Sequence, residues 1–218
     1  MIISMYDGGI YRHLIAVTDR KLCAGDFTEQ VGKIASLHPA GLILREKDLS
    51  DEEYTTMAFC IQEICRRENV PFFVHGRLSS ARQIGCRNLH LPLQTLQQLG
   101  GKPADIDILS VSCHSREDVM QAEKQGADRI ILGTIYETGC KPGLAGKGAS
   151  FVREICRETP LPVYAIGGIK PSNLREVMDA GAAGGCMMSG FMTLYGAGED
   201  RTSPVGIHQK KTRSEDRF

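Results

Sequence analysis

Short apolar runs rich in β-favouring residues alternate with longer stretches of helical spacing along most of the chain. The runs are His13–Asp19, Gly41–Glu46, Pro71–Gly76, Asn88–Pro92, Ile108–His114, Arg129–Tyr136, Pro162–Gly168 and Gly184–Gly190. Between them, segments such as Asp51–Asn69 and Pro171–Ala180 carry the spacing of helices with one buried face. Pro171-Ser172-Asn173 reads as a helix start, where proline and capping side chains are favoured. Eight strands separated by crossovers, with no polar linker, predict one α/β domain, a (β/α)8 TIM barrel over residues 1–192. A doubly wound open sheet has the same periodicity and is the alternative, because spacing alone does not show closure. After the eighth run the chain reads FMTLYGAGEDRTSPVGIHQKKTRSEDRF, without an apolar stripe. The final helix is therefore expected to be short or missing, and residues 193–218 to form a polar, flexible tail. A homo-oligomer, dimer or higher, is expected to compensate.

Composition narrows the function classes. With 42% hydrophobic and 24% charged residues in 218, the chain has the apolar material for a substantial core. Its 26 Lys+Arg balance 26 Asp+Glu. Without a basic excess there is no electrostatic footprint for nucleic acid or an anionic membrane surface. No apolar run approaches the ~20 residues that a membrane helix requires. The opening MIISMYDGGI lacks the charged and apolar regions of a signal peptide, so a cytoplasmic protein is expected. The 8 cysteines are scattered and form no C-x-x-C, which reads as small buried thiols in a reducing compartment.

Barrel enzymes carry their reacting groups at the carboxyl ends of the strands, and polar residues collect at those ends here. Arg45 and Lys47 share one strand parity while Leu42, Leu44 and Glu46 take the other, so both cations would enter the barrel mouth together. The plainer reading pairs Arg45 with a helix carboxylate. On the fifth run, Ser110, Ser112 and His114 alternate with Leu109, Val111 and Cys113, and Ser115 is placed to cap the next helix. Imidazole can move protons in both directions near neutrality, which makes His114 a candidate acid–base group rather than a structural histidine. Gly167-Gly168 before a helix start and Ser189-Gly190 closing the last run suggest a phosphate cradle of backbone N–H groups, or merely turns. The glycine-rich stretch 133–148, with Lys141 and Lys147, suggests a flap carrying a cation, or an ordinary surface loop. His75, His90 and His114 on adjacent strands offer a zinc alternative. Their spacing is not compact and no acidic residue stands beside them, so no metal or cofactor is expected.

LREKDL, SVSCHS, GTIYETGCKPGLAGKG, VYAIGGIKPSN and MMSG, in that order across residues 12–192, resemble the thiamine-phosphate-synthase/TenI superfamily. Synthases in that superfamily carry an Asn-Asp pair after strand three and an acidic residue soon after a strand-four His-Leu-Gly-Gln. These acids hold magnesium against a pyrophosphate. Here the matching stretches read Val74-His75-Gly76-Arg77 and His90-Leu91-Pro92-Leu93-Gln94-Thr95, with no carboxylate in either. The pattern is more similar to the TenI thiazole tautomerase branch. That resemblance implies an isomerase of thiamine biosynthesis that aromatises a carboxylated thiazole phosphate. It implies catalysis by His114, and substrate contacts from Arg45, Lys47, Ser112, Thr134, Lys141 and Gly143. Gly167, Gly168, Ser189 and Gly190 match its phosphate site, and a phosphorylated thiazole is the small-molecule partner. The alternatives are a thiamine phosphate synthase, joining a pyrimidine pyrophosphate to a thiazole phosphate, and a non-catalytic regulator that binds thiamine-related phosphates. Neutral charge and the lack of a helix-turn-helix pattern argue against direct DNA contact.

Overall fold

The structure of the protein, a computed structural model, describes residues 9–139, 143 and 145–194. Apart from Thr193 and Leu194, the expected flexible tail lies outside the described residues, as does Lys141. Eight strands pair in parallel in chain order, and the last closes on the first, so the sheet is a barrel and not a doubly wound layer. They are β1 (Leu14–Val17), β2 (Gly41–Leu44), β3 (Phe72–His75), β4 (Asn88–Pro92), β5 (Ile108–Cys113), β6 (Arg129–Gly133), β7 (Val163–Ile166) and β8 (Gly184–Met187). The crossovers are α1 (Phe27–Ala35), α2 (Asp51–Arg67), α3 (Leu78–Gln83), α4 (Leu93–Leu99), α5 (Arg116–Lys124), α6 (Gly148–Glu158) and α7 (Pro171–Asp179). A short α8 (Ser189–Met192) follows β8. Among the described residues, no helix is long and apolar enough to cross a membrane.

Alternation sorts the side chains. Ile15, Val17, Ile43, Phe73, Ile131 and Cys186 point into the barrel and form its inner cluster. The intervening Leu14, Leu42, Leu44, Val74, Leu89, Leu91, Leu109, Val111 and Leu132 join the cluster beneath the helices. Helix starts obey the local chemistry. Ser50 accepts from the Glu53 N–H at 3.2 Å and donates its own N–H to the Glu53 carboxylate at 2.9 Å. Ser115 and Asp118 repeat that exchange at the head of α5. Pro171 takes the first turn of α7, where its missing N–H costs nothing.

Several strands stop earlier than their apolar runs. The run through Arg129–Tyr136 leaves the ladder after Gly133, yet Ile135 and Tyr136 still donate N–H bonds to Ile166 and Gly167 at 2.9 and 3.0 Å. Ser189 and Gly190 do not close strand eight. The chain turns at Met188 and they open α8 instead. That helix, although four residues long, is anchored by Phe191 and Met192 at 0% and 1% exposure. The Gln30 amide of α1 donates to the Phe191 carbonyl at 2.6 Å, and the Tyr11 ring packs 5.8 Å from that of Phe191.

Two hydrogen-bonded clamps set the rim on which chemistry would sit. The Thr18 hydroxyl donates to the Glu46 carboxylate at 2.7 Å while accepting the Arg45 N–H at 2.9 Å. Glu46 also accepts from the Arg20 backbone N–H and guanidinium, both at 3.1 Å, and this satisfies a carboxylate only 3% exposed. The second clamp is Tyr54 of α2, 1% exposed. Its hydroxyl donates to the Leu44 carbonyl at 2.6 Å and accepts the His75 N–H at 3.0 Å, tying the ends of β2 and β3 together. Replacing Tyr54 with Phe leaves both backbone groups unsatisfied, so Tyr54→Phe is expected to lower stability by about 1–3 kcal/mol. Urea unfolding checks it, and an unchanged midpoint would show that water takes over the hydroxyl's role.

Candidate active site

At the carboxyl ends of the strands lies a cavity of about 350 Å³. Arg45, Lys47, Ser112, His114, Thr134, Gly167, Gly168 and Ser189 all line it, so most of the sequence-predicted site converges. Two members do not reach its wall. Gly143 is an exposed turn residue with φ +79°, and Gly190 packs in α8 with its Cβ position 2.6 Å from Met187 Sδ. Val17, Ile43, Ile131, Ile166 and Met187 supply an apolar lining between the polar groups. This is a common composition for a small-molecule site.

The β2 side of the cavity is cationic. Arg45 and Lys47 both line it, as their shared parity predicts, and Glu46 turns away into the Thr18–Arg20 clamp. Arg45 has no carboxylate partner among the described residues, which removes the helix-pairing alternative. His75 lies beside them. Burial, followed by the charges of Arg45 and Lys47, pushes its imidazole down to about 4, so it is neutral near pH 7.

His114 follows β5 directly. Its Nδ1 lies 2.9 Å from the Gly133 carbonyl oxygen. A carbonyl can only accept, so Nδ1 carries a hydrogen, and in the neutral ring Nε2 is the nitrogen with the lone pair. Its backbone is held on both sides. The N–H donates to Asp118 at 2.7 Å, and the Lys147 ammonium donates to the His114 carbonyl. Lys147 also sits 4.5 Å over the Phe151 ring, so this cation anchors the base of the flap.

His90 lies in the middle of β4 and is 4% exposed. Its ring nitrogens face the Ser110 and Ser112 hydroxyls at 2.9 and 2.8 Å. The His75 and His90 rings stack at 5.3 Å between centroids. Both nitrogens of His90 being taken, the zinc alternative loses its middle ligand, and no group of three metal-binding side chains gathers among the described residues. The serine–histidine–serine bridge was missed in the sequence, although all three residues share the inward parity. Magnesium, which the resemblance to synthases implies, fares no better. A hard dication needs carboxylate or similar oxygens, and among the described residues no acidic side chain lines the cavity. The donor set does not fit it.

Opposite the cations, Gly167 and Gly168 have φ +100° and +62°. A Cβ on Gly167 would meet Thr134 Cγ2 at 2.5 Å, and one on Gly168 would meet the Glu137 carbonyl oxygen at 2.6 Å. Both positive φ and close approach therefore demand glycine. The Asn173 amide donates to the Gly168 carbonyl at 2.9 Å, which holds this loop against the start of α7.

Residues 14–191 match the family model described as thiamine monophosphate synthase. A thiamine-phosphate synthase of Coprothermobacter proteolyticus is 33% identical over 186 residues, covering 83% of this chain and 87% of that protein. Another, of Caldanaerobacter subterraneus, is 32% identical and covers 76% of this chain and 78% of its own. Among solved structures, a thiamine phosphate pyrophosphorylase from Pyrococcus furiosus aligns with a TM-score of 0.71 at 25% identity, over 84% of this chain and 88% of that one. These relatives carry the name of the synthase, which was the alternative in the sequence reading, and not that of the tautomerase. The agreement runs the full length of the barrel, and the chain is a member of the thiamine monophosphate synthase family.

Proposed function

We propose that this family member works as a tautomerase on a carboxylated thiazole phosphate. The observation that carries the reading is His114, its Nδ1 held by the Gly133 carbonyl, on a cavity lined by cations and, among the described residues, by no carboxylate. Gly167, Gly168 and Ser189 would receive the phosphate, with backbone N–H groups able to approach because no side chain intervenes. Arg45 would pair with the carboxylate, its fork matching two oxygens. His114 Nε2 then takes the ring proton and, as imidazolium, delivers one to the exocyclic carbon. One C–H bond breaks and another forms, the double bond moves into the ring, and no electrons are gained or lost. Aromatisation drives the step, so the protein mainly positions and shuttles.

The names of the relatives favour a second reading, a synthase that joins a pyrimidine pyrophosphate to a thiazole phosphate. Pyrophosphate departs with charge that a metal ordinarily neutralises, and the lack of a carboxylate among the cavity's described lining residues weighs against this reading. The two are separated by one comparison. The purified protein is given either the non-aromatic thiazole carboxylate phosphate, with chelator, or pyrimidine pyrophosphate with thiazole phosphate and magnesium. Aromatic product in the first mixture and no pyrophosphate in the second are expected; the reverse would establish the synthase.

His114→Ala is expected to lower tautomerase turnover by roughly 10²–10⁴-fold, with product affinity nearly unchanged. A wild-type rate would take His114 out of the reaction. Arg45→Met is expected to weaken binding of the carboxylated product by roughly 10- to 100-fold, the loss of a charge-assisted pair. Affinity for the same thiazole phosphate without its carboxylate should stay as it was, and calorimetry on the two ligands measures the difference.

A further inference from the structure

At the cavity floor, His90 and Ser112 begin a polar layer that reaches down to Ser110 and that the chemistry above does not use. His90 bridges two successive inward positions of β5: it pairs with Ser110 in the ladder, and its neighbour position Pro92 pairs with Ser112. Ser110 is 1% exposed, whereas Ser112 opens onto the cavity beside His114. Burial, first, and the charges of Arg129 and Arg45 hold His90 well below the usual imidazole range. The ring therefore carries one N–H, and its other nitrogen must accept. One serine receives a hydrogen from it and the other gives one.

Charges at the two ends select between these arrangements. Arg129, paired with Ser110 across the β5–β6 ladder, stacks its guanidinium 4.8 Å from the Phe73 ring centre and 5.6 Å from that of Tyr164. Its Nη1 is buried without a hydrogen-bond partner among the described residues. A cation there favours the Ser110 oxygen turned toward it and the Ser110 hydrogen given to His90 Nδ1. The proton then sits on Nε2 and points at the Ser112 oxygen, so the Ser112 hydrogen is released toward the cavity. Arg45 and Lys47 line the same cavity and draw negative charge into it.

We propose that His90 is a positioning residue that, held between Ser110 and Ser112, makes the Ser112 hydroxyl a fixed donor aimed at the anionic end of the bound ring. The inference rests on the tautomerase reading and deepens it. Taking the ring proton spreads negative charge toward the carboxylate-bearing carbon, and a donor already turned to that place stabilises the charge without reorganising. No bond to His90 forms or breaks.

Nitrogen-15 NMR of the histidine-labelled wild-type protein reads the arrangement without any turnover. The expected result at neutral pH is a protonated Nε2 and a bare Nδ1 on His90, alone and with the aromatic thiazole carboxylate phosphate bound. A proton on Nδ1, or on both nitrogens, overturns the proposal. Kinetics supply the second arm. His90→Phe is expected to lower kcat roughly tenfold while KM moves less than about twofold. His90→Gln, whose amide also offers one donor and one acceptor, recovers most of the loss. The double variant Ser112→Ala/His90→Phe is expected to be no slower than Ser112→Ala alone, since His90 acts through that hydroxyl. Additive losses, or a loss carried by KM only, overturn it. A wild-type protein without tautomerase turnover sinks the functional reading alone, and the NMR result then decides the orientation of Ser112 by itself.

Discussion

On a closed parallel barrel each strand residue has one of two destinations, the lumen or the layer beneath the helices, and everything at the site follows from that division. Leu42 and Leu44 go outward under the helices, and Arg45 and Lys47 are thereby delivered to the rim. The same rule on β5 sends Leu109, Val111 and Cys113 outward and stacks Ser110, Ser112 and His114 along one inner line. A slip of one residue in the ladder would exchange the two sets and bury the cations against leucine. The Thr18–Glu46–Arg20 and Tyr54 clamps sit where such slippage would begin, at the upper ends of β1, β2 and β3.

The electrostatics of the lumen are asymmetric in a way that suits an anionic guest. Cations stand at the rim on β2, and another lies deep on β6, where Arg129 is flanked by two aromatic rings. Between them, the two imidazoles His75 and His90 are kept neutral by burial and by those charges. A neutral imidazole between cations costs less than a charged one and still offers a donor. The lumen thus presents directed hydrogen bonds near its floor and positive charge where a ligand's acidic groups would arrive.

The barrel was legible in the chain because its alternation of short apolar runs and helical stretches is unbroken, and because Ser115 and Pro171 announce their helices. The parity argument also located Arg45, Lys47, Ser112 and His114 on the cavity. What stayed hidden depended on depth and on long-range partners. His90 reads by sequence only as a possible zinc ligand, and only the register of β4 against β5 shows its ring held between two hydroxyls. Ser189 and Gly190 look like the end of a strand because the apolar run continues into them, yet the turn at Met188 is set by tertiary packing of Phe191. Lys147 looked like a free flap cation, while its ammonium is spent on the His114 carbonyl and the Phe151 ring.

The hydrogen bonding of β1 to β8, reinforced by Tyr11 and Gln30 against Phe191, joins the first part of the chain to the last. During synthesis the N-terminal strand must therefore wait, with one edge unpaired, until almost the whole polypeptide has left the ribosome. Such sequence-distant closure makes folding slow, and the waiting edge is a natural target for chaperones or for unwanted strand addition. A truncation that removed α8 and its neighbours would consequently be felt first in the yield of soluble protein, before any change at the mouth of the barrel could be measured.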